Sequence, residues 1–111
     1  MADFTPSTVP GCRVPHVFLR DGRSLYDALG PNYTLLRLDP KVDVAPLLSE
    51  AKRLNVPIDL LDVISDEAQA VYDRLLVLAR PDQHVAWRGN SVPSEAGELI
   101  KLISGRRRPI V

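Results

Sequence analysis

The sequence predicts an α/β domain built on one mixed β-sheet, and three observations support this prediction. The chain has 111 residues, 45% of them hydrophobic and 25% charged, which is typical of a single globular domain. Apolar runs of strand type alternate with helical segments, and strands joined through a helix are expected to be parallel. The last two runs, 75–80 and 84–88, are separated only by Pro81-Asp82-Gln83, a tight turn that makes them antiparallel.

Five segments have the apolar composition of β-strands: 16–19, 33–38, 58–64, 75–80 and 84–88. The second of them is apolar without alternation through Leu35 and Leu36, as in a strand buried on both faces. We expect the sheet order 58–64, 33–38, 75–80, 84–88, with segment 16–19 outside the first of these strands.

Four helices are expected, at 25–29, 44–54, 66–71 and 94–104. Ser24, Asp43 and Asp66 are suitable capping residues for the first three, and Gly105 is suited to end the last. The second and fourth helices have apolar residues at the spacing of one helical face, so both can cover the sheet. A mixed sheet with helices on both faces, in this element order, is the thioredoxin-like arrangement.

Composition also indicates how the chain is organised. Residues 1–14 contain Pro6, Pro10 and Gly11 and are expected to form an extended segment or linker. Residues 15–105 are expected to form the domain, and 106–111 a basic tail.

The 14 basic and 14 acidic residues balance, but three arginines lie in the tail, so the body is mildly acidic and should attract neither nucleic acid nor an anionic membrane. No apolar run is long enough to cross a membrane and no signal peptide is recognisable, so we expect a cytoplasmic protein.

Residues for catalysis are not apparent. Thiol–disulfide exchange needs a reactive cysteine at a helix start, but the segment before helix 44–54, Asp39-Pro40-Lys41-Val42-Asp43, has no sulfur and the CxxC motif is lacking. The single cysteine, Cys12, lies in the proline-rich segment and should be chemically ordinary. Two histidines do not provide a metal site, and no glycine-rich turn is present to hold a dinucleotide. We therefore expect no catalytic, metal-binding or cofactor-binding residue in this chain.

Two stretches resemble a known family. They are the segment from Pro10 to His16 with the following Asp21-Gly22 and Ser24-Leu25-Tyr26-Asp27, and the long run Arg80-Pro81-Asp82-Gln83-His84-Val85-Ala86-Trp87-Arg88. Together they are similar to the C-terminal domain of the FAD-dependent aromatic-ring hydroxylases of the para-hydroxybenzoate-hydroxylase type. The resemblance covers about Pro10 to Gly105. It implies a thioredoxin-like fold without redox cysteines, while FAD and NAD(P)H belong to the preceding domains.

The sequence departs from this family at Gln83, where the family commonly has glycine. Glycine suits a left-handed turn residue, so Gln83 is either strained by about 1 kcal/mol or sits in a different turn.

The resemblance also suggests an interface. Arg13 and His16 lie where a connecting segment reaches the domain, so they could bond with a neighbouring domain or only locally. Arg80 and Asp82 either brace their own hairpin or contact that neighbour, and Trp87 and Arg88 on the last strand complete the candidate set.

The function expected from this resemblance is that of an accessory domain with no activity of its own. Its partner would be an FAD-binding monooxygenase domain, in cis or in trans, or a second copy of the chain. The alternative is a free-standing thioredoxin-like module that binds another protein without redox activity.

Overall fold

The computed structural model describes residues 10–64 and 66–103. Within them, the four predicted helices and four of the five predicted strands follow one another in the predicted order. The elements are α1 (Leu25–Ala28), β1 (Tyr33–Arg37), α2 (Ala45–Arg53), β2 (Ile58–Asp62), α3 (Asp66–Tyr72), β3 (Leu76–Ala79), β4 (Val85–Gly89) and α4 (Ala96–Ile103). The tail and Gly105 lie outside the described residues, so the predicted boundaries of the domain stay predictions.

The four strands form one mixed sheet in the order β2-β1-β3-β4. β1 and β2 are parallel, and β3 is antiparallel to both β1 and β4. The predicted order of these four strands is therefore confirmed. Arg37 fixes the β1–β2 register, because its Nε and Nη2 donate to the two carboxylate oxygens of Asp62 at 2.6 and 3.0 Å.

The prediction of a fifth strand at 16–19, outside β2, is wrong. After Leu19 the chain reverses through Gly22, which has a φ of +90° and whose N–H donates to the Leu19 carbonyl. This turn pairs Phe18 with Ser24 in an isolated antiparallel bridge. Val17 and Leu19 are buried against the sheet, so the segment lies over a face of the sheet and does not extend its edge.

One face of the sheet, which we call the helix face, is covered by the two longer helices. Leu47 and Ala51 of α2 and Ala96 and Ile100 of α4 pack on three buried strand residues, Leu35, Leu76 and Leu78. Helix α2 begins one residue later than predicted, and Asp43 accepts a hydrogen bond from the N–H of Ala45 at 3.0 Å. Asn55, with a φ of +59°, follows its C-terminal end.

The opposite face, which we call the segment face, is covered by α1, α3 and an irregular stretch. Residues 10–19, the leading segment, contribute Val14, Val17 and Leu19 to this core. Leu25 of α1 and Tyr72 of α3 join them, and all pack on four strand-proximal residues, Leu36, Leu38, Val77 and Ala79. The sheet therefore has helices on both faces, as predicted, and both long amphipathic helices share one of them.

Candidate docking site

The leading segment binds to the outer edge of the β3–β4 hairpin through its backbone. The N–H of Gly11 donates to the carbonyl of Val85 at 2.8 Å, and the N–H of Val85 donates to the carbonyl of Cys12 at 2.7 Å. Two residues further along the segment, the N–H of Val14 donates to the Gln83 carbonyl at 2.8 Å. These bonds satisfy backbone groups that an edge strand would otherwise expose.

Two tyrosine hydroxyls hold the next two carbonyls of the leading segment. Tyr26 of α1 donates to the carbonyl of Val14, and Tyr72 of α3 donates to that of Pro15, both at 2.6 Å. Tyr72 is fully buried, and burial, followed by the neighbouring Tyr26, raises its pKa, so the hydroxyl keeps its proton and remains a donor. We call Tyr26 and Tyr72 the tyrosine clamp.

Arg13 and His16 both contact the Tyr26 ring. The Arg13 guanidinium lies 4.4 Å from the ring centroid, and its Nη2 donates to Gln83 Oε1 at 2.9 Å. The His16 ring lies 5.1 Å from the Tyr26 ring, and its Nε2 is 2.8 Å from Ser24 Oγ. Two of the predicted interface residues are thus brought together, and both are held by contacts within the chain.

The tip of the hairpin is braced internally. Arg80 forms an ion pair with Asp82, whose other carboxylate oxygen accepts from the N–H of His84 at 3.2 Å. Desolvation raises the pKa of Asp82, but hydrogen bonds from Arg80 and His84 outweigh it and hold that pKa below its ordinary value. In this structure Arg80 and Asp82 therefore contact each other, and their role towards a neighbouring domain stays a prediction.

Gln83 adopts the left-handed conformation that its position in the turn requires, with a φ of +69°. Its N–H donates to the Arg80 carbonyl at 2.9 Å, which closes the turn. Of the two alternatives predicted for this residue, the left-handed conformation is therefore the one observed, and its strain of about 1 kcal/mol stays a prediction.

Trp87 and Arg88 are neighbours on β4 and are directed to opposite faces of the sheet. Trp87 is paired in register with Leu78 and packs half-buried against the core of the helix face. Its ring covers Gly89 so closely that a Cβ there would lie 2.6 Å from Trp87 Cζ2. Arg88 is opposite Val77, so strand alternation directs it to the segment face. The six predicted interface residues are therefore not all on one face of the sheet.

Phe18 and the tyrosine clamp are absent from the predicted set, and both are part of the site. The Phe18 ring packs edge-on against His16 with centroids 4.8 Å apart, and 61% of the residue is exposed. The alternation His16-Val17-Phe18-Leu19, with the even-numbered residues outward, could have indicated Phe18. No local pattern indicates the clamp, because its hydroxyls reach carbonyls 12 and 57 residues away along the chain.

Features that would support catalysis were sought among residues 10–64 and 66–103. Cys12 is exposed with a free thiol, and these residues contain no group of three potential metal ligands. At the start of α2, where a thioredoxin would carry its reactive cysteine, Asp39 and Asp43 accept hydrogen bonds from the N–H groups of Lys41 and Ala45. The helix N-terminus is therefore approached by the chain's own carboxylates. No helix among the described residues is long and apolar enough to span a membrane.

Comparison with known proteins agrees with this architecture. The model of the family described as "Aromatic-ring hydroxylase, C-terminal" matches residues 7–105. The chain belongs to this family. It is 36% identical over 113 residues to an FAD-dependent monooxygenase, opdD, of Penicillium oxalicum, and 30% identical over 118 residues to a phenol 2-monooxygenase of a Pseudomonas species. These alignments cover 92% and 89% of this hydroxylase-family chain.

Solved structures give the same result. The rebeccamycin biosynthetic enzyme RebC, determined with reduced flavin, matches 95% of this chain with a TM-score of 0.87 and 34% identity. An aklavinone-11 hydroxylase in a ternary complex with FAD and aklavinone matches 89% of it with a TM-score of 0.72. The chain spans about one fifth of the length of these relatives, since it covers 21% and 19% of the two monooxygenases and 20% of RebC.

Proposed function

We propose that the chain is the C-terminal, non-catalytic domain of an FAD-dependent aromatic-ring hydroxylase, and that it packs against the flavin-binding part of such an enzyme. The observation that carries the proposal is the extent of the similarity. The chain matches a C-terminal family model over residues 7–105 and covers about one fifth of FAD-dependent relatives. The remaining four fifths of each relative are available for flavin and substrate chemistry.

The structure of the described residues supports a packing role. The core on each face of the sheet is closed by elements of this chain. A dinucleotide is ordinarily held by backbone N–H groups of a glycine-rich turn at a helix start. Here the starts of α1 and α2 are instead engaged by Ser24, which accepts from the Tyr26 N–H, and by Asp43.

The leading segment indicates which surface of the domain faces the flavin-binding part. The matching family model is that of a C-terminal domain, so we place the flavin-binding part before this domain, joined to it through the stretch before Pro10. Here that stretch leads into residues fixed by the hairpin edge and the tyrosine clamp. A partner attached there would be held at high effective concentration beside the Arg13–Tyr26–His16 cluster.

A chimera tests this proposal. We would compare RebC, RebC lacking the region that this chain matches, and RebC in which this chain replaces that region. The flavin content of each protein and the temperature at which flavin is released would be measured. The proposal predicts that the chimera retains more flavin and releases it several degrees higher than truncated RebC. Equal behaviour of the chimera and truncated RebC would overturn it.

The isolated chain supplies a second test. We expect calorimetric titration with FAD to show no saturable binding in the low micromolar range. Saturable binding in that range would contradict a non-catalytic role and would place a flavin site within this domain.

A further inference from the structure

Phe18 is the most exposed large hydrophobic residue among those described, at 61%, yet its position is well defined. The bridge to Ser24 fixes its backbone, and the His16 ring packs edge-on against its own ring. Its neighbours Val17 and Leu19 anchor the segment in the core. A phenylalanine held in this way loses little side-chain entropy when another surface covers it.

The other exposed apolar residues differ from Phe18 in their surroundings. Leu60, Ile64 and Leu102 lie on β2, after β2 and on α4, and single exposed residues of this kind are ordinary in soluble proteins. Phe18 instead belongs to a continuous row of side-chain contacts. Its ring packs against His16, the His16 ring packs against Tyr26, and Arg13 packs on the Tyr26 ring. Aromatic residues and arginine are the residue types enriched where binding energy concentrates in interfaces.

The stretch of chain that carries Phe18 has a net positive charge. The stretch 13–24 contains Arg13, Arg20 and Arg23 against one carboxylate, that of Asp21. Asp21 is already bonded to Arg23, whose Nε donates to it at 2.8 Å, and the backbone and side-chain hydrogen bonds from Arg23 hold the pKa of Asp21 below its ordinary value. A surface that covers Phe18 would be favoured by acidic groups facing Arg13 and Arg20.

We infer that Phe18 inserts into an apolar pocket with an acidic rim on the flavin-binding part of the aromatic hydroxylase, and this inference rests on the function proposed above. Two observations favour that occupant over a second copy of the chain. The exposed large apolar residues are scattered over the fold, whereas a stable dimer usually buries about 1,200–2,000 Å² in one interface. A tethered partner needs far less area, because the tether raises its effective concentration.

The test uses the RebC chimera and two matched substitutions. Phe18→Thr removes the proposed anchor, and Leu60→Thr removes a less exposed apolar residue on β2, outside the leading segment. We expect Phe18→Thr to abolish at least half of the rise in flavin-release temperature that the unsubstituted chimera shows over truncated RebC. Leu60→Thr should leave that rise unchanged. In the isolated chain, both substitutions should leave the unfolding midpoint within about 2 °C of the unsubstituted value, because both side chains are exposed.

The outcomes separate the two proposals. If the unsubstituted chimera is no more stable than truncated RebC, the proposed function fails. If it is more stable but Phe18→Thr retains the full rise, the proposed function stands and the role of Phe18 is overturned. Light scattering measures the mass of the isolated chain in solution and so tests whether a second copy covers Phe18. If the chain is a dimer and Phe18→Thr makes it a monomer, the inference is overturned in favour of a second copy.

Discussion

On the helix face, α2 and α4 bury Leu47, Ala51 and Ile100 against the sheet, and the contact between the helices is so close that a Cβ at Gly97 would lie 3.3 Å from Glu50 Oε2. On the segment face, the core is covered by the short helices α1 and α3 together with the leading segment, whose backbone carbonyls accept hydrogen bonds from two tyrosine hydroxyls. The first face depends on apolar packing. The second adds specific hydrogen bonds, and it is the one that presents the candidate docking site.

The largest expected effect is on the helix face. Ile100 is fully buried, so Ile100→Ala should lower the free energy of unfolding by about 2–5 kcal/mol, as measured by urea denaturation. Leu102→Ala on the same helix is the control, because Leu102 is 58% exposed and should cost less than about 0.5 kcal/mol. Equal effects of the two substitutions would mean that α4 does not close this core.

The tyrosine clamp gives the corresponding test on the segment face. Tyr72→Phe removes the buried hydroxyl and leaves the Pro15 carbonyl without that donor, at a cost of about 1–3 kcal/mol. It should also speed trypsin cleavage after Arg13, because the leading segment opens more often. Tyr33→Phe is the matched control, since the Tyr33 hydroxyl donates to the Ile103 carbonyl near the end of α4. If the control accelerated this cleavage equally, the clamp would not be what holds the segment.

The Arg37–Asp62 pair predicts a smaller, pH-dependent effect. The side-chain hydrogen bonds from Arg37 lower the pKa of Asp62, so the ionised carboxylate stabilises the folded state. This contribution is fully present above the ordinary aspartate pKa of about 3.9 and is lost as the pH falls through the lower value of the folded state. Asp62→Asn should cost roughly 0.2–1 kcal/mol at pH 7 and make the acid-induced fall in stability shallower.

Urea denaturation of Asp62→Asn between pH 7 and pH 2 measures this effect. A parallel shift at every pH, with the slope of the unsubstituted protein, would contradict the assigned role of the carboxylate.

Gln83 predicts the smallest effect. Replacing it with glycine relieves the backbone strain of the left-handed conformation but removes the hydrogen bond that the Arg13 side chain donates to the Gln83 side chain. Gln83→Gly should therefore stabilise the chain by only about 0.5 kcal/mol. Gln83→Ala is the control, because it removes the same bond without relieving the backbone and should be destabilising. Thermal unfolding distinguishes the two, and a glycine variant less stable than the alanine variant would rule out strain at this position.

The sequence predicted the helix face more fully than the segment face, and the reason is physical. Apolar periodicity in α2 and α4 is a local property, so both helices could be predicted from it. The directions of the strands followed from the helical connections between them. The β3–β4 hairpin was predicted from Pro81-Asp82-Gln83, whose turn chemistry is also local. Segment 16–19 has strand-like alternation, but the chain reverses after it at Gly22 and the segment lies on the segment face of the sheet. It is held there by contacts between residues that are distant in sequence, such as the bond from Tyr72 to the Pro15 carbonyl.

The same distinction applies to the candidate site. Arg13 and His16 could be proposed because they stand in a run that resembles the hydroxylase family. Tyr26 was not among the expected interface residues, and in the structure its ring contacts the side chains of both Arg13 and His16. The role of Tyr72 could not be foreseen, because the carbonyl that it bonds lies 57 residues earlier in the chain.

Hydrogen–deuterium exchange tests the difference between the two faces most directly. Amide exchange would be followed by mass spectrometry in the isolated chain and in the RebC chimera under identical conditions. If the segment face docks on the flavin-binding part, peptides covering residues 13–24 should exchange more slowly in the chimera, while peptides from α2 and α4 should be unchanged. Slower exchange confined to α2 and α4, or no difference at residues 13–24, would contradict this assignment of the docking face.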